Sequence, residues 1–221
     1  MTNHLGTGYL SKRMRIIGRS SSHFTRVTQI FALELGVAYE LAPIYDITAT
    51  DPAIFAGNPA LKIPSLERAG GKLFGTENIC RALAEAAPSP KRIVWPEHLT
   101  TDLSRNANEL LWHSMAAQVQ LAIGTLVVKL PADSPYFIKI RSGFEGALRW
   151  LDTNLDAALA ALPPRDLSLF EVALFCLVEH LTFRGTLPAD PYPNLLRFTR
   201  GFGERESARR TGYRFDAPPA S

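Results

Sequence analysis

Cysteine is scarce in this sequence. Only Cys80 and Cys176 occur among 221 residues, and they lie far apart in apolar, helix-like surroundings. This excludes a disulfide framework, and the five scattered histidines lack the spacing of metal ligands, so no metal is expected. The N-terminus also lacks the long apolar segment that a signal peptide requires. These absences together predict a cytoplasmic protein.

Long apolar runs and a strong charge imbalance are also missing. The longest apolar stretch, 167–183, is interrupted by Glu171, Glu179 and His180, and it falls short of the roughly 18 to 20 residues that a membrane span needs. It predicts a buried core helix instead. The 24 basic and 21 acidic residues are spread along the chain and give a formal net charge of +3. We therefore expect neither a membrane nor a nucleic acid as a partner.

The most informative stretch is residues 20–27, SSSHFTRV, which follow a strand candidate at 14–17 and open an amphipathic helix. The first N–H groups of a helix have no intrahelical partner and lie at its positive end, so they stabilise an anion. Thioredoxins place a cysteine pair here, but the four residues that begin at Ser22 contain no cysteine. The serines are therefore either helix caps or a hydroxyl source that activates the thiol of another molecule.

Strand and helix signals alternate in the first third of the chain, which is typical of an α/β unit. We assign residues 13–87 to this domain. Prolines at positions 88, 90 and 96 predict a linker over 88–98. Residues 99–216 carry helical apolar stripes, and Ser134-Pro135 and Ser168-x-x-Glu171 are helix start signals within them.

Three segments share a pattern with a known family. They are residues 22–40, which run from the serine helix into the second strand, residues 58–66, NPALKIPSL, and residues 75–83, GTENICRAL. With the helical second half, they make the chain from about Met14 to Asp216 resemble a cytosolic glutathione S-transferase of the serine type. The resemblance implies an N-terminal thioredoxin-like α/β domain followed by an all-α helical-bundle domain.

The resemblance also implies roles for the serine run. Ser22 would stabilise the thiolate of glutathione, the co-substrate, while Ser20 and Ser21 are close competitors for that role. Phe24 belongs to the same glutathione-binding group. Among the tyrosines, only Tyr9 could replace Ser22, provided that the N-terminal arm folds back.

A second group of glutathione contacts is implied around residues 62–64. Pro64 would follow a cis peptide bond, which turns the backbone of Ile63 toward the ligand. The N–H and C=O of Ile63 would then pair with the cysteinyl backbone of glutathione in the manner of a short strand. Lys62 would neutralise the glycyl carboxylate. A proline that only starts a strand is the alternative.

A third group follows at the next helix start. Thr76 would bind the γ-glutamyl carboxylate at a helix N-terminus. The family has an acid just before this position, but this chain has Gly75, and Glu77 is the candidate to replace it. The departure leaves two functions open. One is a glutathione transferase, typical of detoxification, that attacks a small electrophilic or hydrophobic substrate, and the other is a non-catalytic binding protein with altered or lost glutathione affinity.

The second substrate would be held against the helical domain. Candidates on its first helix are Asn106, Trp112, His113 and Met115, although Trp112 and Met115 fit the core better. The sequence does not choose among conjugation, dehalogenation and peroxide reduction. A thiol-disulfide oxidoreductase is disfavoured because no cysteine lies near the first helix. By resemblance, the protein is expected to form a homodimer.

Overall fold

The first half of the molecule is built on a four-stranded mixed sheet. A computed structural model describes residues 14–218. The strand order is β2-β1-β3-β4, with β1 and β2 parallel and the other two pairs antiparallel. The elements are β1 (Met14–Gly18), α1 (His23–Glu34), β2 (Tyr39–Pro43), a 3-10 turn (Pro52–Phe55), β3 (Ser65–Arg68), β4 (Gly71–Phe74) and α2 (Thr76–Glu85).

Apolar side chains of β1 and α1 fix the centre of this half. Ile16 on β1 is fully buried and lies opposite Leu41 on one side and Leu66 on the other. α1 packs a buried apolar row into the same core, formed by Val27, Ile30 and Phe31. The helix ends before Gly36, whose φ of +67° is the left-handed conformation that glycine adopts readily.

The second half of the described chain is mainly helical. Its elements are β5 (Ile93–Val94), a 3-10 turn (Pro96–His98), α3 (Asp102–Leu121) with a π-helical continuation (Ala122–Val127), α4 (Pro135–Ala160), β6 (Leu167–Ser168), α5 (Leu169–Arg184), α6 (Pro193–Gly203) and α7 (Glu206–Arg210). The short strands β5 and β6 pair in parallel. The predicted fold class, a thioredoxin-like domain followed by a helical region, is confirmed.

α5 is the helix predicted from the longest apolar run, and it is buried on nearly all sides. It packs against α1, so that one continuous core joins the sheet half to the helical half. This packing brings the C-terminal end of α5 beside the turn between β1 and α1. The candidate site lies at that junction.

The helix Asp102–Val127 would pass for a membrane span by length and composition alone. The core helices of water-soluble proteins pass the same test, so this is weak evidence. In this structure the segment packs against α4 and α5.

Candidate functional site

The serine turn, residues 20–22, connects β1 to α1. Ser22 is the N-cap of α1, and its Oγ accepts a hydrogen bond from the Thr25 N–H at 3.2 Å. The cap uses a lone pair of the hydroxyl oxygen and leaves the O–H free to donate. The two predictions for this serine, a helix cap and a hydroxyl donor, are therefore compatible.

Ser20 and Ser21 are more enclosed than Ser22. They are only 3% and 2% exposed, whereas Ser22 is half-buried. The Ser20 N–H donates to Asp216 Oδ2 at 2.7 Å, and the Ser21 carbonyl accepts from His180 Nε2 at 3.0 Å. The backbone of the turn is thus held by the helical half of the chain.

A chain of hydrogen bonds positions His180 beneath the turn. The hydroxyl of Thr186 donates to Gln118 Oε1 at 2.6 Å, and Gln118 Nε2 donates to His180 Nδ1 at 2.9 Å. Because Nδ1 is an acceptor, the ring proton lies on Nε2, which donates to Ser21. Burial, assisted by the neighbouring His23, lowers the pKa of His180 to about 2.

His23, the first residue of α1, is the second histidine of this junction. It is 1% exposed, its Nε2 donates to the Met115 carbonyl at 3.0 Å, and its ring lies 4.4 Å from that of His180. Burial lowers the pKa of His23 to about 4. Both histidines are therefore neutral at pH 7, and both join the serine turn to α3 and α5.

A cleft of about 460 Å³ opens between α1, α2 and α3, and Ser20, Ser21 and Ser22 are not among the residues that line it. Phe24 of α1 and Trp112 of α3 line it, and their rings stack on each other with centroids 6.0 Å apart. The remaining lining comes from the start of α2: Gly75, Thr76, Glu77 and Asn78. Three predicted site residues, Phe24, Thr76 and Glu77, therefore meet in one cleft. Trp112 packs against the core, as the sequence favoured, and its half-buried ring also lines this cleft, whereas Met115 is fully buried core.

The N-terminus of α2 has no side-chain cap. Gly75 is its N-cap residue and has φ +88°, a conformation that other residues rarely adopt. The backbone geometry thus accounts for glycine where the family pattern has an acid. The first N–H groups of α2 are left for a partner at the edge of the cleft.

Glu77 is committed to an ion-pair network. Its carboxylate accepts from Arg81 Nε at 2.9 Å and from a terminal nitrogen of the same guanidinium at 2.8 Å. Arg81 is also bound by Glu97, with contacts of 2.9 and 2.6 Å. Glu77 therefore serves its own helix rather than standing free in place of the missing acid.

The residues around Pro64 lie before β3 and are not among those that line the cleft. The Ile63–Pro64 bond is cis. Ile63 packs on a small apolar cluster with Ile17 and Phe55, and Lys62 is exposed while its carbonyl accepts from Asn58 Nδ2 at 2.9 Å.

Other sequence candidates lie away from the cleft. His113 is exposed, with Nε2 3.2 Å from Glu109 Oε1. Burial raises the pKa of the Cys176 thiol to about 12 and that of Cys80 well above its usual value, so neither is a nucleophile. Tyr9 lies outside the described residues. Within residues 14–218, no group of three or more histidine, cysteine or acidic side chains is placed to hold a metal ion.

Comparisons with known proteins agree with this architecture. Residues 16–91 match the family model described as glutathione S-transferase, N-terminal domain. A glutathione S-transferase of Methylobacterium radiotolerans, solved with glutathione sulfonate, is 22% identical with a TM-score of 0.72, and the match covers 95% of this chain and 99% of that one. One from Methylobacillus flagellatus, solved with glutathione, is also 22% identical, with a TM-score of 0.71 over 90% of this chain and 99% of that one.

A glutathione transferase family member from Pseudomonas fluorescens, with bound glutathione, is 20% identical, with a TM-score of 0.71 over 91% of this chain and 99% of that one. No curated protein matches the sequence. At these identities the structural likeness establishes the fold. Residues 16–91 thus match the N-terminal domain of glutathione S-transferases, and the chain as a whole has the fold of those proteins.

Proposed function

We propose that this protein is a glutathione transferase of the serine type, which activates the glutathione thiol for attack on a small electrophile. Two observations carry the proposal: the cap at the start of α1 and the lining of the cleft. Ser22 caps α1 with its O–H still available, and the uncapped start of α2, with Thr76, lines the cleft beside Phe24. The glutathione bound to proteins of the same fold supports this choice of ligand.

Ser22 would act by stabilising the thiolate. A free cysteine thiol has a pKa near 8.5, so only a few per cent is ionised at neutral pH. Lowering that pKa by two units requires about 2.7 kcal/mol of preferential stabilisation of the anion. A hydroxyl donor combined with the positive end of α1 is a sufficient source.

The start of α2 would hold the γ-glutamyl carboxylate. The Thr76 side chain and the first N–H groups of the helix supply donors to an anion without any acidic neighbour free to repel it, because Glu77 is neutralised by Arg81. Ile63 would pair with the cysteinyl backbone and Lys62 with the glycyl carboxylate. Ser20 and Ser21 would contribute through the shape of the turn.

Isothermal titration with reduced glutathione tests the proposal. We expect the wild-type protein to bind, Thr76→Ala to bind at least threefold more weakly, and Thr76→Ser to bind as the wild type does because it keeps the hydroxyl. The loss follows from removing one hydrogen bond worth about 1 kcal/mol. An absence of binding at millimolar glutathione would refute the proposal.

That negative result would favour the second candidate, a non-catalytic protein of the same fold. The specific observation behind it is Gly75, because the acid of the family pattern is missing and Glu77 is occupied by Arg81. A screen with electrophiles separates the two functions, since a binding protein would hold glutathione or a relative without turnover.

We also propose a cytoplasmic homodimer. Large exposed apolar side chains are concentrated between the end of α3 and the start of α4, namely Leu126, Val127, Val128, Leu130, Tyr136 and Ile138. Exposed apolar side chains concentrated in one segment favour an interface. Light scattering coupled to gel filtration would give the mass directly, to be compared with the 24.4 kDa of one chain.

A further inference from the structure

Two arginines at the serine turn form no ion pair within the described residues, although hydrogen bonds from Thr48 and the charge of one of these arginines, Arg19, lower the pKa of the exposed Asp46. Arg19 is the residue just before the turn, and Arg184 is the last residue of α5. Both side chains are half-buried, and the Nε atom of each is buried without a hydrogen-bond partner. Within residues 14–218, no carboxylate forms an ion pair with either guanidinium. A partly buried cation loses hydration, and without an ion pair that loss is not offset by a neighbouring carboxylate.

The two arginines are also close enough to repel each other. Burial lowers the pKa of Arg184, and the positive charge of Arg19 lowers it further. Besides burial, the positive charge of Arg184 lowers the pKa values of His23 and His180. An anion bound between the two guanidinium groups would relieve the repulsion and satisfy both Nε donors.

Ser20 adds a neutral donor at the same place. Its side chain is 3% exposed, and its Oγ has no hydrogen-bond partner within the described chain. Its backbone N–H already binds a carboxylate oxygen, since Asp216 Oδ2 lies 2.7 Å away. The backbone donor of Ser20 is therefore already used by Asp216, which makes no ion pair with Arg19 or Arg184, and its hydroxyl is the donor that remains for a ligand.

Two aromatic rings form an apolar wall, which lies beside the Arg184 side chain. The Arg184 guanidinium carbon lies 5.5 Å from the ring centroid of Phe183 and 5.1 Å from that of Phe215, and the two rings are 5.0 Å apart. Phe215 is 62% exposed, so the wall faces solvent. The combination suits a small molecule with an acidic group and an apolar part.

We propose that Arg19, Ser20 and Arg184 form an anion site that binds a carboxylate on the second substrate, so that the preferred electrophile is a carboxylate-bearing molecule. This inference rests on the proposed function, because it requires an electrophile held at the serine turn to meet the thiol that Ser22 would activate. Arg19 and Arg184 supply charge and direction, Ser20 supplies a neutral donor, and Phe215 contacts the apolar part of the molecule.

A pair of matched electrophiles tests it. 4-Chloro-3-nitrobenzoate and 4-chloro-3-nitrobenzamide both lose chloride when the glutathione sulfur attacks the ring carbon, and they differ by the carboxylate. We expect the wild-type enzyme to prefer the benzoate. Arg184→Gln and Arg19→Gln should each raise KM for the benzoate at least tenfold, as expected for loss of a charge-assisted hydrogen bond. KM for the benzamide should stay the same in both variants. Arg197→Gln is the matched control, because Arg197 pairs with Asp156 on the surface.

Two further measurements separate the possible failures. Titration with benzoate alone requires no glutathione, so weaker binding to Arg184→Gln than to the wild type supports the anion site even if the transferase proposal fails. Glutathione titration of the same variant distinguishes the source of the carboxylate. The proposal is wrong if Arg184→Gln weakens the binding of glutathione itself and leaves benzoate binding unchanged. It is also wrong if KM rises equally for both electrophiles. Without an anion, Arg184→Gln should keep or raise Tm, because it removes a repelling charge.

Discussion

At the scale of single residues, Ser22 has two roles that substitutions can separate. Alanine at an N-cap lowers the free energy of unfolding by about 1 kcal/mol, but glycine costs only a few tenths. Neither has a hydroxyl. Ser22→Ala and Ser22→Gly should therefore differ in stability while raising the pKa of the bound glutathione thiol by the same amount. The ultraviolet absorbance of the thiolate, followed against pH, measures that pKa.

Two neighbouring substitutions serve as the comparison for Ser22. Ser20→Ala and Tyr9→Phe should leave the thiol pKa where the wild type has it. If either one abolished thiolate formation and Ser22→Gly did not, the thiol would be activated by another hydroxyl. The mechanism would keep its chemistry, but Ser22 would be reduced to a helix cap.

At the scale of elements, α3 begins with a reciprocal capping box. The Thr101 Oγ1 accepts from the Ser104 N–H at 3.1 Å, and the Ser104 Oγ accepts from the Thr101 N–H at 3.3 Å. Thr101→Ala should lower the free energy of unfolding by about 1 kcal/mol, whereas Thr101→Ser should be nearly neutral. Urea titrations of the two variants measure the difference, and equal stability would show that the cap contributes nothing at this exposed helix start.

The sequence predicted such a box at α5 instead, and only half of it forms. Ser168 Oγ accepts from the Glu171 N–H at 3.4 Å, but the Glu171 carboxylate binds Arg165, with one contact at 2.8 Å. Local patterns find helix starts because caps involve neighbours in sequence. They do not decide between a backbone N–H and an arginine that reaches the same carboxylate.

The same limit explains which parts of the site the sequence missed. The resemblance placed Phe24, Thr76 and Glu77 in one site, and the cleft brings these three together. Nothing local in the sequence links Asp216 to Ser20, or His180 to Ser21, across separations of 196 and 159 residues. Those contacts depend on how α5 and the C-terminal segment pack on the first domain.

At the scale of the whole molecule, two buried histidines link the halves. His23 contacts the α3 carbonyl of Met115, and His180 contacts the serine turn. Burial lowers the pKa of His23 to about 4 and lowers that of His180 even further. An unfolded histidine has a pKa near 6.5, so the unfolded chain binds more protons than the folded one below that pH.

The protein should therefore lose stability on acidification earlier than its carboxylates alone would predict. The contribution of the two histidines is complete above about pH 6.5 and falls as the pH decreases toward their folded-state pKa values. Between pH 7.5 and 5.5 the free energy of unfolding should drop by about 3 kcal/mol for the pair. Urea unfolding at the two pH values measures this drop.

His180→Gln isolates the contribution of one member of the pair. The amide keeps a donor for Ser21 but does not titrate. The variant should therefore be less stable than the wild type at pH 7.5, but its free energy of unfolding should fall only half as much between pH 7.5 and 5.5. His113→Gln is the control, because His113 is exposed and lies outside the junction between the two halves. If His180→Gln and the wild type lost stability in parallel, the junction between the two halves would not be the acid-sensitive part of the fold.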